Sequence, residues 1–199
     1  MSMNAQLRRI PAADADRARR DTDFRTQLTM GAFGAGFDSA ELMSSLPWYL
    51  RLLLRLTQPG MPKSSPTAKA APPPGELLDL HKSWHGIHWL LCQDPWEGPV
   101  PLKHTLFGKE EIGEDLGYGP ARLNSPSEVL EVEKALRALS DAELMRRYDP
   151  QKMDELEIYP GNFADDRSWR SDLKRDYNRL RKFYQDAAAQ GDAVLTWLD

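Results

Sequence analysis

The sequence predicts an α+β fold: one domain with a small mixed or antiparallel sheet built from the N- and C-terminal strands and packed with several helices. Three observations lead to it. The chain opens and closes on short strand-like runs, Met3–Ile10 and Ala193–Leu198. Paired capping signals mark helix starts in series between them. One long amphipathic stripe then runs from Trp169 to Ala187.

Met3-Asn-Ala-Gln-Leu-Arg-Arg-Ile10 alternates as a strand does, and Pro11 ends it. A polar, helical stretch follows, in which Arg17, Arg19 and Arg20 alternate with Asp14, Asp16, Asp21 and Asp23 as on a solvated helix face. Asp38-Ser-Ala-Glu41 reads as a capping box, with Phe37 and Leu42 placed as a hydrophobic staple. Leu46–Leu56 is apolar nearly all round and is expected to be buried. Thr57 to Gly75 contains six prolines, so a proline-rich linker or insertion at about 57–75 is expected to loop out of a single domain spanning 1–199.

Glu76 to Cys92 reads as one helix, and the prolines at 95, 99 and 101 mark an irregular stretch after it. Lys109 to Asn124 is glycine-rich and acidic, with turns around acidic caps and a short strand through Ala121–Leu123. Ser125-Pro-Ser-Glu128 and Ser140-Asp-Ala-Glu143 are capping boxes, Asp149-Pro150 starts a further helix, and Tyr159-Pro-Gly161 is a turn. The final helix carries Trp169, Leu173, Tyr177, Leu180, Tyr184 and Ala187 on one face and stops at Gly191.

Composition narrows the function classes. Net charge is −4, with no basic stripe of the kind nucleic-acid binding needs. A single cysteine, Cys92, rules out an intramolecular disulfide and any multi-thiolate zinc site within one chain. Met1 to Ile10 lacks the apolar core of a secretory signal, and Leu46–Leu56 is too short and too charged to span a bilayer. The expected compartment is the cytoplasm, with no membrane span and no nucleic-acid partner.

Chemistry concentrates in Asp79–Cys92. His81, His85, His88 and Cys92 are spaced i, i+4, i+7 and i+11. On a helix they share one face, the other three within about 40° of His81, among Leu80, Trp84, Ile87 and Leu91. Lys82, Gly86, Asp79, Ser83 and Glu76, with Leu90 among them, fall on the opposite face. Buried imidazoles need partners. Three readings stand: a metal held by His81 and His85, a ligand or catalytic pocket, or histidines hydrogen-bonded within the core. His81 is followed by Lys82, so the zincin pattern is absent. Gly117-Tyr-Gly119 followed by Pro120 makes neither a phosphate loop nor a dinucleotide fingerprint. No complete catalytic motif and no cofactor motif is present.

Met3–Pro11, Lys82-Ser-Trp-His-Gly-Ile-His-Trp-Leu-Leu91, Glu111-Ile-Gly-Glu-Asp-Leu-Gly-Tyr-Gly-Pro-Ala-Arg122, Ile158-Tyr-Pro160 and Ala187–Leu198 together resemble the YfbM-like family of small bacterial proteins, classed as a domain of unknown function. The resemblance runs in the family's order over nearly the whole chain. It implies a single α+β domain and no established activity, cofactor or catalytic residue. It also implies that Trp84, His85 and His88 are shared positions. His81 stands where the family usually has Asp, and Cys92 where it usually has Thr.

Two functions from different classes follow. The first is a non-catalytic protein-binding module of immunity or regulatory type, suited to an acidic protein with short capped helices. The second is a small-molecule site or enzyme in which Trp84, His85, His88, Asp115, Tyr118 and Arg122 converge. Oligomeric state is not encoded in any motif.

Overall fold

In the computed structural model, residues 2–30 and 75–199 are described. They fall into two units, 2–25 with 75–199, and residues 26–30 at the end of one helix. The expected helix start at Asp38, the Leu46–Leu56 segment and the proline-rich stretch up to Pro74 lie outside the described residues.

The terminal strands pair as their patterns suggest. β1 (Ala5–Ile10) runs antiparallel to β5 (Ala193–Leu198), with Ala5 opposite Leu198 and Ile10 opposite Ala193. β2 (Leu77–Asp79) covers the outer edge of β1, while β4 (Pro120–Asn124) and then β3 (Glu110–Asp115) extend the sheet beyond β5. The order is β2-β1-β5-β4-β3, antiparallel throughout. Two polar helices, α1 (Ala12–Arg20) and α2 (Thr22–Met30), follow β1, and Arg19 ties α1 to Glu110 of β3 by an ion pair of 2.9 Å.

The remaining helices are α3 (Ser83–Cys92), α4 (His104–Phe107), α5 (Pro126–Ala138), α6 (Asp141–Met145), α7 (Pro150–Glu155) and α8 (Trp169–Gln190). Both predicted capping boxes form, at Ser125/Glu128 and Ser140/Glu143, and the Asp149 side chain caps α7. Each meets amide protons that a helix start leaves without a partner. α8 buries Leu173, Tyr177, Leu180, Tyr184 and Ala187, and Gly191 closes it at φ +68°. These side chains share one core with Ala5, Leu7, Leu78 and Val194 of the sheet and with α3 and α5.

Two expectations are corrected. The helix does not begin at Glu76: Leu77–Asp79 pairs with β1 as an edge strand, and α3 begins only at Ser83. The glycine-rich acidic run holds a strand, β3, of which only Ile112 is buried, so hydrophobic periodicity had little to report. The stretch 93–103, with its prolines at 95, 99 and 101, is irregular as expected, and the short helix α4 follows it.

Candidate functional site

α3 is the buried centre of the fold. Every residue from Ser83 to Leu91 is buried, so the expected wet face of Ser83, Gly86 and Leu90 does not exist. The polar members of that face are accommodated individually. Ser83 donates to the Asp176 carboxylate at 2.6 Å, and Asp176 also receives Arg175 and Arg179. Burial pushes the Asp176 carboxyl up, but these partners outweigh it and hold it below its ordinary range. Gly86 is where α8 comes closest: a Cβ there would stand 2.8 Å from the Leu173 Cδ2. At its C-terminus, Gln93 turns left-handed (φ 58°), and Arg147 donates to the Leu90 and Leu91 carbonyls, each at 2.9 Å.

The four aligned ligands of the sequence pattern do not assemble. His81 precedes α3 in the turn from β2, at φ +46°, with its side chain 70% exposed and beside the Asp79 carboxylate. A His81–His85 metal pair at helical spacing is therefore not formed. Among the described residues, no group of three or more His, Cys, Asp or Glu is disposed to hold a metal ion. Cys92 is half-buried, and the backbone of Gly98 packs on it so closely that a Cβ would lie 2.5 Å from its Sγ. Burial, reinforced by Asp94, pushes the thiol up to about 11, so it is not a thiolate at neutral pH.

His85 is fully engaged. Its Nδ1 accepts the backbone N–H of Tyr159 at 2.9 Å. The proton therefore resides on Nε2, which donates to the Pro95 carbonyl at 2.8 Å. One imidazole thus joins α3 to two loops, 93–103 and 156–162. Burial holds its pKa down despite the Pro95 carbonyl, so the ring is neutral at neutral pH. Trp84 stacks on it at 4.8 Å and 13° and donates its indole N–H to the Met3 carbonyl. Tyr159 is tied to the same region by its hydroxyl, which accepts the Met3 N–H at 3.0 Å.

His88 differs. It is 0% exposed, rests against Phe107 at 4.5 Å, and neither ring nitrogen completes a hydrogen bond. Burial, with His85 and Lys103 adding to it, lowers its pKa to about 4, against the opposing pull of the Glu97 backbone and Asp94.

The Asp94 carboxylate accepts the N–H groups of Trp96 and Glu97, at 2.9 and 2.7 Å, which folds the 93–97 loop back over α3. That lays Trp96 on His85, with centroids 4.5 Å apart, while the indole stays 54% exposed. Two open grooves meet at Trp96. One, of about 570 Å³, runs past His85 to Tyr159, Pro160, Asp154 and Glu157. The other, of about 550 Å³, is lined by Phe107, Lys103, Lys109, Glu111 and Arg122. Of the predicted pocket residues, His85 lines the first groove, whereas Trp84 and His88 are fully buried and line neither. Arg122 reaches the second groove, paired to Glu111 at 2.7 Å and 5.7 Å from the Phe107 ring centre.

Asp115 is instead the last residue of β3 and Tyr118 lies in the exposed turn after it, and neither lines the grooves described above. The Asp115 side chain accepts the Gly117 and Gly119 N–H groups of its own hairpin. No sequence signal marks Trp96, Asp154 or Glu157 as a site residue, and Tyr159 is marked as part of a turn. The two turn signals, the prolines after Cys92 and Tyr159-Pro-Gly161, mark the loops that deliver Trp96 and Tyr159.

Comparison with known proteins agrees with this architecture. A solved structure of the protein of unknown function YfbM from Escherichia coli superposes with a TM-score of 0.63 over 98% of this chain and 99% of that one, at 17% identity. At that identity the likeness concerns the fold. No curated protein matches the chain. Among the described residues, no helix is long and apolar enough to cross a membrane. The family model described as "Domain of unknown function (DUF1877)" matches residues 1–197, and with the sheet order and helix set above it assigns this chain to the YfbM-like family.

Proposed function

We propose that the chain is a non-catalytic protein-binding module of regulatory or immunity type, working in the cytoplasm, with Trp96 as its anchor. The observation that carries this reading is the placement of Trp96: an indole 54% exposed, held by an Asp94-capped loop, and backed by a buried histidine that is itself bonded on both sides. A rigid aromatic side chain presented between two grooves is the kind of group that dominates protein interfaces. The histidines support the same reading. His85 spends both nitrogens on backbone groups, and His88 is sealed from solvent, so neither ring offers a free nitrogen to a substrate.

Among the described residues, the groove beside His85 is the feature that most favours a small-molecule site. Asp154 there accepts the Phe163 and Ala164 N–H groups and the Tyr159 hydroxyl accepts the Met3 N–H, which fixes both groups in place. The groove is open along its length, which suits a partner's side chain better than a metabolite that a pocket must enclose.

A photo-crosslinking residue in place of the exposed Glu97, beside an intact Trp96, compared in the native host with the same residue at the exposed Leu130, tests the proposal. A discrete protein adduct is expected from position 97 and none from position 130. Identical adduct patterns, or none at either position, contradict it.

A further inference from the structure

The two grooves that meet at Trp96 have opposite electrostatic characters. In the groove lined by Lys103, Lys109 and Arg122, each cation already has a carboxylate: Glu97, Glu128 and Glu111 respectively. That side is neutralised within the protein. In the groove between Trp96 and Tyr159, Asp154 and Glu157 line the surface, and among the described residues none of those lining it is Lys or Arg. Glu157 has no ion-pair partner among the described residues. Asp154 has each oxygen fixed by one backbone N–H at 2.9 Å, which orients the carboxylate without neutralising it. His85, the one titratable nitrogen base there, contributes no positive charge at neutral pH, because burial holds its pKa down.

Aromatic rings beside unpaired carboxylates, with no competing cation, favour a cation. The groove is about 570 Å³ and open along its length, which suits an extended side chain entering from a bound polypeptide. A guanidinium matches it better than an ammonium does. Its plane stacks on an indole while its five N–H donors reach carboxylates at the edge.

We propose, building on the protein-binding reading above, that the Trp96–Tyr159 groove receives an arginine side chain from a basic segment of the partner. The guanidinium lies on Trp96 and pairs with Glu157 and Asp154.

The test is titration of the full chain with three defined peptides, followed through the Trp96 indole N–H resonance. The peptides are a glycine–arginine repeat, its neutral citrulline counterpart and a glycine–glutamate repeat. The arginine peptide is expected to move the Trp96 resonance saturably, with a dissociation constant on the order of 1 mM for so short a ligand. The citrulline and glutamate peptides are expected to bind at least about tenfold more weakly. Glu157→Gln, a conservative change at an exposed position, is expected to weaken the arginine peptide about threefold, and raised salt to weaken it further.

A citrulline peptide that binds as well as the arginine one overturns the proposal, as does a Trp96 resonance that stays still with arginine. Either result together with a specific protein adduct at position 97 leaves the protein-binding reading standing and removes the cation. No adduct and no shift removes both.

Discussion

His85→Ala is expected to destabilise the fold by about 4 kcal/mol, measured by urea unfolding at pH 7. The change does three things at once. It strips the Tyr159 N–H of its acceptor and the Pro95 carbonyl of its donor, in a region where water does not replace them freely. It leaves a void between Trp84 and Trp96, which sit 4.8 and 4.5 Å from the imidazole. It also frees the 93–97 loop from α3, so Trp96 fluorescence should shift toward that of an exposed indole. His85→Asn is the informative comparison. Its side-chain oxygen lies near the position of Nδ1, so it keeps the Tyr159 bond and loses the Pro95 bond. The expected loss is about half that of alanine. Equal and small losses for both variants would show that the two backbone bonds carry little of the fold.

The second large effect is a dependence of stability on acid. His88 is folded away as a neutral ring with a pKa of about 4, against 6.5 when exposed. As pH falls below 6.5 the unfolded chain takes up a proton there and the native chain does not, so the native state loses relative stability. The loss accumulates as pH falls from 6.5 to about 4 and then levels off, reaching about 3 kcal/mol. At neutral pH the contribution of this group is intact. His85 acts in the same direction, since burial lowers its pKa too. His88→Leu fills nearly the same volume against Phe107 and has nothing to protonate. Its unfolding free energy should therefore fall much less between pH 7 and pH 4.5 than the parent's. Comparing the two chains at each pH cancels the carboxylates common to both. Parallel profiles for the two proteins would contradict a buried, neutral His88.

What the sequence disclosed, and what it withheld, divides along local and non-local lines. β1 and β5 were legible because Pro11 and Gly191 punctuate them, and their pairing followed from strands at both ends of the chain. The helices after Asn124 were legible because Ser125, Ser140 and Asp149 cap the amides within their own first turns. His81 was misplaced for a non-local reason. Leu77-Leu78-Asp79 suits a helix or a strand equally, and its register with Gln6, Leu7 and Arg8 of β1 decides the matter.

The helical wheel placed His85 and His88 inside the protein correctly. It put Ser83 and Gly86 outside because it has no knowledge of α8, whose Asp176 and Leu173 meet them. The rim of the candidate site was the least legible part. Trp96 precedes Asp154, Glu157 and Tyr159 by about sixty residues in the chain, and the two sides meet because one imidazole bonds to the backbone at both Pro95 and Tyr159.

That imidazole is the centre of the account, and its protonation state can be read directly. Long-range proton–nitrogen correlation of the histidine rings at pH 7 to 8 should show His85 as the neutral Nε2–H tautomer, with a hydrogen-bonded Nε2 proton and an acceptor Nδ1, and on acidification the ring should protonate only below the range of an exposed histidine. The same spectra after His85→Asn identify the signal. A His85 ring that carries its proton on Nδ1, or that titrates near 6.5 like an exposed histidine, would contradict the clamp and with it the rigid presentation of Trp96.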